Sequence, residues 1–398
     1  MSPTSLSCDA CATPLTSAFY SPLHSRRGVA VFVCSQCGLT QSGFQPYARD
    51  RRQTLSADAD WGNVRHGKGL RFEAVCGLVE GLDLSRVTDI LDVGSNRGDF
   101  LRWVQQRHPH AAIWAVEPDE RIVDYRHSPG VNYRKGKLED SDLPQEKFGF
   151  VYNCQTLEHS NSAVAMLQTI WRAMRPGALM LLDVPNISSI GHSDIVEEFF
   201  IDKHVFHFDP SSLRRLVEAA GFEIVSPRGG EDPFNITLLT RKIEMMPEPS
   251  GYGQGTLPLD NAALIRAYAD TLHRNRERLA RLVETKLRPL AKRQRVAYWG
   301  AGRIFDALVK YGGLTSSDLH LLVDKYLAGL MPETHGIPIQ RPETLRLHEP
   351  QVVIVLARSG ESAIASRAYA MGIRHVLKFS ELLEQVTDIA VTPAAIDL

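Results

Sequence analysis

From Val87 onward the chain alternates short apolar runs with turns and helical stretches, and this alternation limits the possible folds more than any other feature. "VTDILDVGSNRGDFLRWVQQRHP" is followed by "AIWAVEPDERIVDYRH", "VNYRKGKLEDSDLP" and "KFGFVYNCQTLEH", then by a helical stretch to Arg175, the strand "ALMLLDVPN", and finally "FEIVSPRGG" and "NITLLTRK". Strands separated by helices pair through crossovers, which implies a parallel sheet with helices on both faces. A second such series, "RVAYWGAGRIFDALV", "LHLLVDK", "QVVIVLAR" and "IRHVLKFS", predicts another α/β unit. Between the two lies "EMMPEPSGYGQGTLPLD", a linker by its Pro and Gly content. Leu264, Tyr268, Leu272, Leu279, Leu282, Val283, Leu287 and Leu290 then recur at helical spacing, with arginines on the other face. That is a packing helix with a solvated basic side.

A length of 398 residues allows two or three domains. The formal charge of −1 gives no footprint for nucleic acid or an anionic membrane. No apolar run approaches a bilayer span, and the N-terminus lacks the pattern of a leader. The expected partner is a small molecule and the expected compartment the cytoplasm; oligomeric state is not readable. Four of the six cysteines stand as Cys8-x2-Cys11 and Cys34-x2-Cys37, with 22 residues and a strand, "RRGVAVFVC", between the pairs. In a reducing compartment this zinc-ribbon spacing reads as metal rather than disulfides. Four thiolates complete a tetrahedral Zn2+ and leave no open position, so the ion's role is structural; free or redox-active cysteines are the alternative.

"ILDVGSNRGDF" is a strand entering a turn with Gly94 and Gly98, where glycine lets the backbone approach a ligand. Glu117 ends the next strand, where an acid can meet a ribose. The pattern is not the G-x-G-x-x-G of dinucleotide folds, because position 96 is Asn. It resembles motif I of class I S-adenosylmethionine-dependent methyltransferases. That resemblance implies that Asp92, Gly94, Ser95, Asn96 and Gly98 hold the donor, and that Glu117, followed by Pro118, is the ribose acid. "GKLEDSDLP", with Leu138 and Glu139, matches the acidic segment that reaches the adenine, and "FVYNCQTLEH", with Gln155, the fourth-strand motif near the sulfonium. A nucleotide fold with another ligand is the alternative.

More closely, the chain resembles C-methyltransferases of nucleotide-linked keto-deoxysugars. "DVGSNRGDFL" is similar to their glycine loop, "TLEH" to their "LAH", "LLDVP" to their "EVP" strand, and "LVDKYLAGLMPETHGIPI" to their C-terminal run ending "IPI". The resemblance implies a zinc-binding module over residues 1–46, a Rossmann-like class I methyltransferase core over 47–245, a linker and helix over 246–293, and a second Rossmann-like α/β domain over 294–398. In the family a "YHEH" element ends in the candidate base; here "IDKH" stands in its place, so His204 carries over, while Ile201, Asp202 and Lys203 depart from the pattern. Trp61 stands near the position of an expected tyrosine. These departures make a different acceptor plausible.

The implied chemistry is removal of an α-proton by His204 and attack of the enolate on the methyl group, with His207, His159 or Asp202 orienting the imidazole or stabilising the oxygen. The bland alternative makes His204 and His207 satisfied residues ahead of a helix capped by Asp209 with Pro210 at its first position. O- or N-methylation of another metabolite, and a catalytically silent binding protein, are the competing functions. In the last unit Gly300 and Gly302 follow a strand and Asp324 ends the next, but position 305 is Phe, so a nicotinamide site is disfavoured and a lobe covering the acceptor is expected.

Overall fold

The computed structural model describes residues 6–22, 25, 28–44, 70–96, 98–118, 130–190, 199–201, 203–228, 234–245, 260–329, 331–357 and 360–386. They form two compact units, one of residues 1–190 and 197–268, the other of 191–196 and 269–398.

The first unit begins with β1 (Ala30–Val33) and β2 (Thr40–Gly43), followed by α1 (Leu70–Glu80). Then come β3 (Asp89–Val93), α2 (Asp99–Arg107), β4 (Ala112–Glu117), β5 (Val131–Lys135), β6 (Phe148–Cys154), α3 (Ala163–Ala173) and β7 (Met174–Pro185). The short β8 (Phe206–His207), α4 (Pro210–Ala219), β9 (Phe222–Arg228) and β10 (Asn235–Lys242) complete it. The main sheet has the order β5-β4-β3-β6-β7-β10-β9. Its first five strands are parallel, as the alternation requires.

The expectation of a wholly parallel sheet fails at β10, which runs antiparallel to both β7 and β9. Only six residues separate β9 from β10, too few for a crossover. The helix before β7 is also shorter than expected, ending at Ala173 so that the strand begins at Met174.

Neighbouring residues of each strand serve opposite faces, which divides the core. Leu91, Val93, Val116 and Val151 pack with α3 and α4 and with Cys8, Cys34, Cys37 and Leu39. Ile90, Ile113, Phe150 and Tyr152 pack with Val75 and Val79 of α1 and with Phe100, Leu101 and Val104 of α2. The cysteine module is therefore continuous with the core: Asp9 accepts from Val164 N at the start of α3 (3.0 Å), and Arg215 of α4 donates to the Cys37 carbonyl (2.8 Å). Its β2 pairs with β1 on one side and with β8 on the other.

α4 starts as its sequence predicts. Asp209 accepts from the backbone of Ser211 and Ser212, Ser212 Oγ closes the capping box, and Pro210 occupies the first turn.

The long helix α5 (Asn261–Leu282) passes into a π turn at Val283–Leu287. Ile265, Tyr268, Leu272, Leu279, Leu282, Val283 and Leu287 are buried. The extra residue of the π turn re-phases the apolar stripe, which regular helical spacing does not reveal. The second unit holds β11 (Val296–Trp299), α6 (Arg303–Lys310), β12 (Leu321–Val323), β13 (Glu333–Thr334), β14 (Ile337–Gln340), β15 (Val352–Val355), α7 (Glu361–Ala370), β16 (His375–Lys378) and α8 (Phe379–Glu384). Their sheet order is β13-β14-β12-β11-β15-β16, parallel except for the β13–β14 pair. No helix among the described residues is long and apolar enough to cross a membrane.

Candidate functional site

In the main sheet the strand order reverses direction between β3 and β6, and ligands of open α/β sheets sit beyond the carboxyl ends of strands at such a point. The glycine turn and Glu117 singled out in the sequence lie there. Asp92 is buried at the end of β3, 1% exposed. The following turn is left-handed at Gly94 (φ 77°), Asn96 (φ 44°) and Gly98 (φ 72°). Gly94 N and Ser95 N donate to the Val116 carbonyl (2.9 and 3.2 Å), and Asn96 N donates to Glu117 Oε2 (2.7 Å). The carboxylate at the tip of β4 is thus fastened to the turn after β3, with Pro118 exposed just beyond it. A Cβ on Gly94 would lie 2.1 Å from Thr156 Oγ1, so glycine is demanded by close approach as well as by φ. Thr156 itself donates to the Val93 carbonyl (3.1 Å), joining the ends of β3 and β6; sequence reading missed it.

Leu138 and Glu139 form a 3-10 turn after β5, with Leu138 buried. Glu139 Oε1 accepts from Asn161 N (2.8 Å). Glu139 Oε2 and Ser95 Oγ are buried without a hydrogen-bond partner among the described residues. Buried polar atoms of this kind fit a site whose ligand brings hydroxyl and amino groups. The Gln155 side chain donates to Asp183 Oδ1 (2.8 Å) and Asn235 Oδ1 (3.1 Å), tying the end of β6 to β7 and β10.

The turn after β6 meets the segment before β8. Val205 N donates to the Glu158 carbonyl (2.7 Å), which brings His159 and His204 together with ring centroids 4.9 Å apart. Each ring has Nδ1 on a backbone carbonyl, His159 on Lys203 (3.0 Å) and His204 on Phe199 (2.9 Å). A carbonyl only accepts, so each Nδ1 carries a proton, and in the neutral ring Nε2 is then the acceptor. Glu158 Oε1 lies 3.7 Å from His159 Nε2. Glu158 is 1% exposed, and burial pushes its carboxyl up to about 8. This residue also escaped sequence reading. Asp202 and Trp61 lie outside the described residues.

His207 is placed differently. It is 1% exposed, bonds Ser42 Oγ through Nε2 (2.8 Å), and packs on Phe200 at 4.8 Å between centroids. Burial holds its pKa down at about 3, so the ring is neutral.

At the other end of β2 the four cysteine sulfurs converge within 4.8 Å of one another, with Cys8–Cys37 and Cys11–Cys34 each at 3.5 Å. Both knuckles close alike, Ala12 N on the Cys8 carbonyl and Gly38 N on the Cys34 carbonyl (2.9 Å each), with left-handed residues at 12 and 38. Zinc bonds of about 2.3 Å put tetrahedral sulfurs roughly 3.8 Å apart, so the cluster fits that ion.

Residues 49–227 match the family model described as a methyltransferase domain, and residues 255–376 the one described as a C-methyltransferase C-terminal domain. A probable S-adenosylmethionine-dependent methyltransferase of Mycolicibacterium smegmatis is 28% identical over 148 residues, 35% of this chain and 54% of that protein. The chain thus spans about half the length of this curated relative. Similar solved structures include S-adenosylmethionine-dependent methyltransferases from Mesorhizobium loti (16% identity, 44% of this chain, 98% of the other, TM-score 0.37) and, described there as putative, Listeria monocytogenes (14%, 44%, 100%, 0.37). The family-model match over residues 49–227 coincides with the strands and the glycine turn described above.

Proposed function

We propose that this chain is an S-adenosylmethionine-dependent methyltransferase that methylates a carbon atom of a small molecule, with nucleotide-linked keto-deoxysugars as the acceptor class. The observation that carries the reading is the joining, in one chain, of a methyltransferase-domain match to a C-methyltransferase C-terminal-domain match. In this reading Asp92, Gly94, Ser95, Asn96, Gly98 and Glu117, with Pro118, Leu138 and Glu139, hold the donor, which supplies an electrophilic methyl group. Gln155 supports the floor of the site through Asp183. The four cysteines hold a structural Zn2+, and the boundaries near residues 46, 245 and 293 divide the chain.

A carbon beside a carbonyl must lose a proton before it attacks. We assign that step to the neighbourhood of His204, whose Nε2 lone pair can take the proton or hold a Lewis acid that makes it more acidic. His159 lies against it, and neutral His207 steadies the element that carries it. The Ile201 to Lys203 departure favours O- or N-methylation as the second reading.

The test is mass spectrometry of candidate acceptors incubated with enzyme and donor in deuterated water. Carbon methylation through an enolate loses a carbon-bound proton; methylation at oxygen or nitrogen leaves it in place. Calorimetry that finds no uptake of S-adenosylmethionine or S-adenosylhomocysteine defeats both readings and leaves a silent binding protein.

A further inference from the structure

We propose that Glu158, His159 and His204 bind one divalent transition-metal ion, in a centre separate from the four cysteines. Their ligand atoms lie within 4.8 Å of one another, and the set is two imidazoles and one carboxylate. This is the donor set of the facial triad, which fixes three positions around an ion and leaves the others open to substrate or water.

Three features point to an ion rather than to a chance meeting. Each imidazole has Nδ1 bonded to a backbone carbonyl, His159 to Lys203 and His204 to Phe199. That outer contact is the one metal-ligating histidines make, since it fixes the tautomer and orients Nε2. Glu158 is 1% exposed, and neither carboxylate oxygen has a hydrogen-bond partner among the described residues. A carboxyl buried like this ionises only beside positive charge, and an ion between it and the imidazoles of His159 and His204 would supply that charge. Finally, the arrangement is assembled from two distant segments joined by a backbone bond beside the donors, Val205 N to the Glu158 carbonyl at 2.7 Å. His207, three positions along, is the contrast: its ring is committed to Ser42 and belongs to the core.

With bonds of about 2.1 Å, ligand atoms around an ion stand roughly 3 to 3.5 Å apart. The 3.7 Å between Glu158 Oε1 and His159 Nε2 is already close to that, and the remaining donors need to draw in by about 1 Å. Two nitrogens and one oxygen suit Mn2+, Fe2+, Co2+ or Zn2+; Ca2+ and Mg2+ prefer oxygen throughout. The site's existence does not depend on the proposed function, but its use rests on that reading: an ion here holds and polarises an oxygen of the acceptor, and His204 serves as a ligand instead of a free base.

The experiment is a titration of the full-length, zinc-loaded protein with Co2+, followed by calorimetry and visible absorption. The expected result is one Co2+ per chain beyond the zinc, with the weak bands of nitrogen and oxygen ligation and no intense sulfur-to-cobalt band. Glu158→Gln and His204→Gln should each weaken uptake by about tenfold or more, with zinc content and thermal unfolding unchanged. His159→Gln serves as the third variant if either of these unfolds. Absence of any Co2+ uptake by the wild-type chain, or equal uptake by wild type and folded variants, overturns the proposal. S-adenosylhomocysteine binding measured on the same wild-type sample judges the methyltransferase reading on its own.

Discussion

The two units each contain a strand, a glycine turn, a helix and an acid at the tip of the next strand, and they use that acid differently. Gly94 N bonds the Val116 carbonyl at 2.9 Å, and Gly300 N bonds the Val323 carbonyl at 2.8 Å. Both glycines are left-handed and would collide with the neighbouring strand's end if they had a Cβ, Gly94 with Thr156 at 2.1 Å and Gly300 with the Leu356 carbonyl at 2.4 Å. In the first unit Glu117 receives Asn96 N on Oε2. In the second, Asp324 receives Ala301 N on Oδ2 and both Tyr326 N and Leu327 N on Oδ1. Both oxygens of Asp324 are committed to backbone, so it acts as the clasp of its own loop. A glycine turn therefore shows where backbone can come close, and the acid beside it can serve different backbone groups in different loops. The second turn also offers Ala301 where the first offers Ser95.

If the chemistry belongs to the first unit alone, substitutions there should dominate. His204→Ala is expected to lower methyl transfer by roughly 10²- to 10⁴-fold while calorimetry finds S-adenosylhomocysteine affinity unchanged; near-normal turnover would remove His204 from the reaction. Glu117→Ala should weaken S-adenosylhomocysteine binding by about 10²-fold, as loss of hydrogen bonds to a charged group implies. Asp324→Asn should leave that affinity unchanged, and an equal loss in both variants would erase the contrast between the turns.

A third test concerns support. His207 is held near 3 in the folded chain against an ordinary value near 6.5. The unfolded chain therefore binds a proton that the folded chain refuses. Stability is intact above about pH 6.5 and drains as pH falls toward 3, by about 1.4 kcal/mol per pH unit. The buried Glu158 carboxyl, raised to about 8, opposes this slope over the same range, so the readout is the difference in urea stability between wild type and His207→Gln, which should change by about 1.4 kcal/mol per unit between pH 6.5 and 5. The smallest effect is the stability cost of Asp324→Asn, about 1 kcal/mol for a weakened loop cap, read from the same urea curves.

Much of this was legible in the sequence, because alternation, glycine turns and helix caps are local signals. Asp209 and Pro210 predict the start of α4, and the two CxxC pairs predict a convergence of sulfurs that is now seen at 3.5 Å. Direction is not local: the run "NITLLTRK" reads as a strand either way, and only the short connection from β9 reverses it. Glu158 was missed for a similar reason. In sequence it is one acid in "TLEH", and the segment paired with it, at Val205, is 47 positions away. Gln155 makes side-chain bonds to Asp183 and Asn235, which lie 28 and 80 positions further on and cannot be read from its own stretch.

β8 is two residues long, and its ladder partner is β2, reached by a hydrogen bond between Ser42 and His207 across 165 positions. The glycine turn is fastened to Glu117 across 21 positions, whereas β8 waits for a strand 165 positions away, a slow kind of closure. In the proposed reading, deleting the first forty-odd residues should therefore disturb the His204 side more than S-adenosylhomocysteine binding, a loaded hand with nothing to pass to.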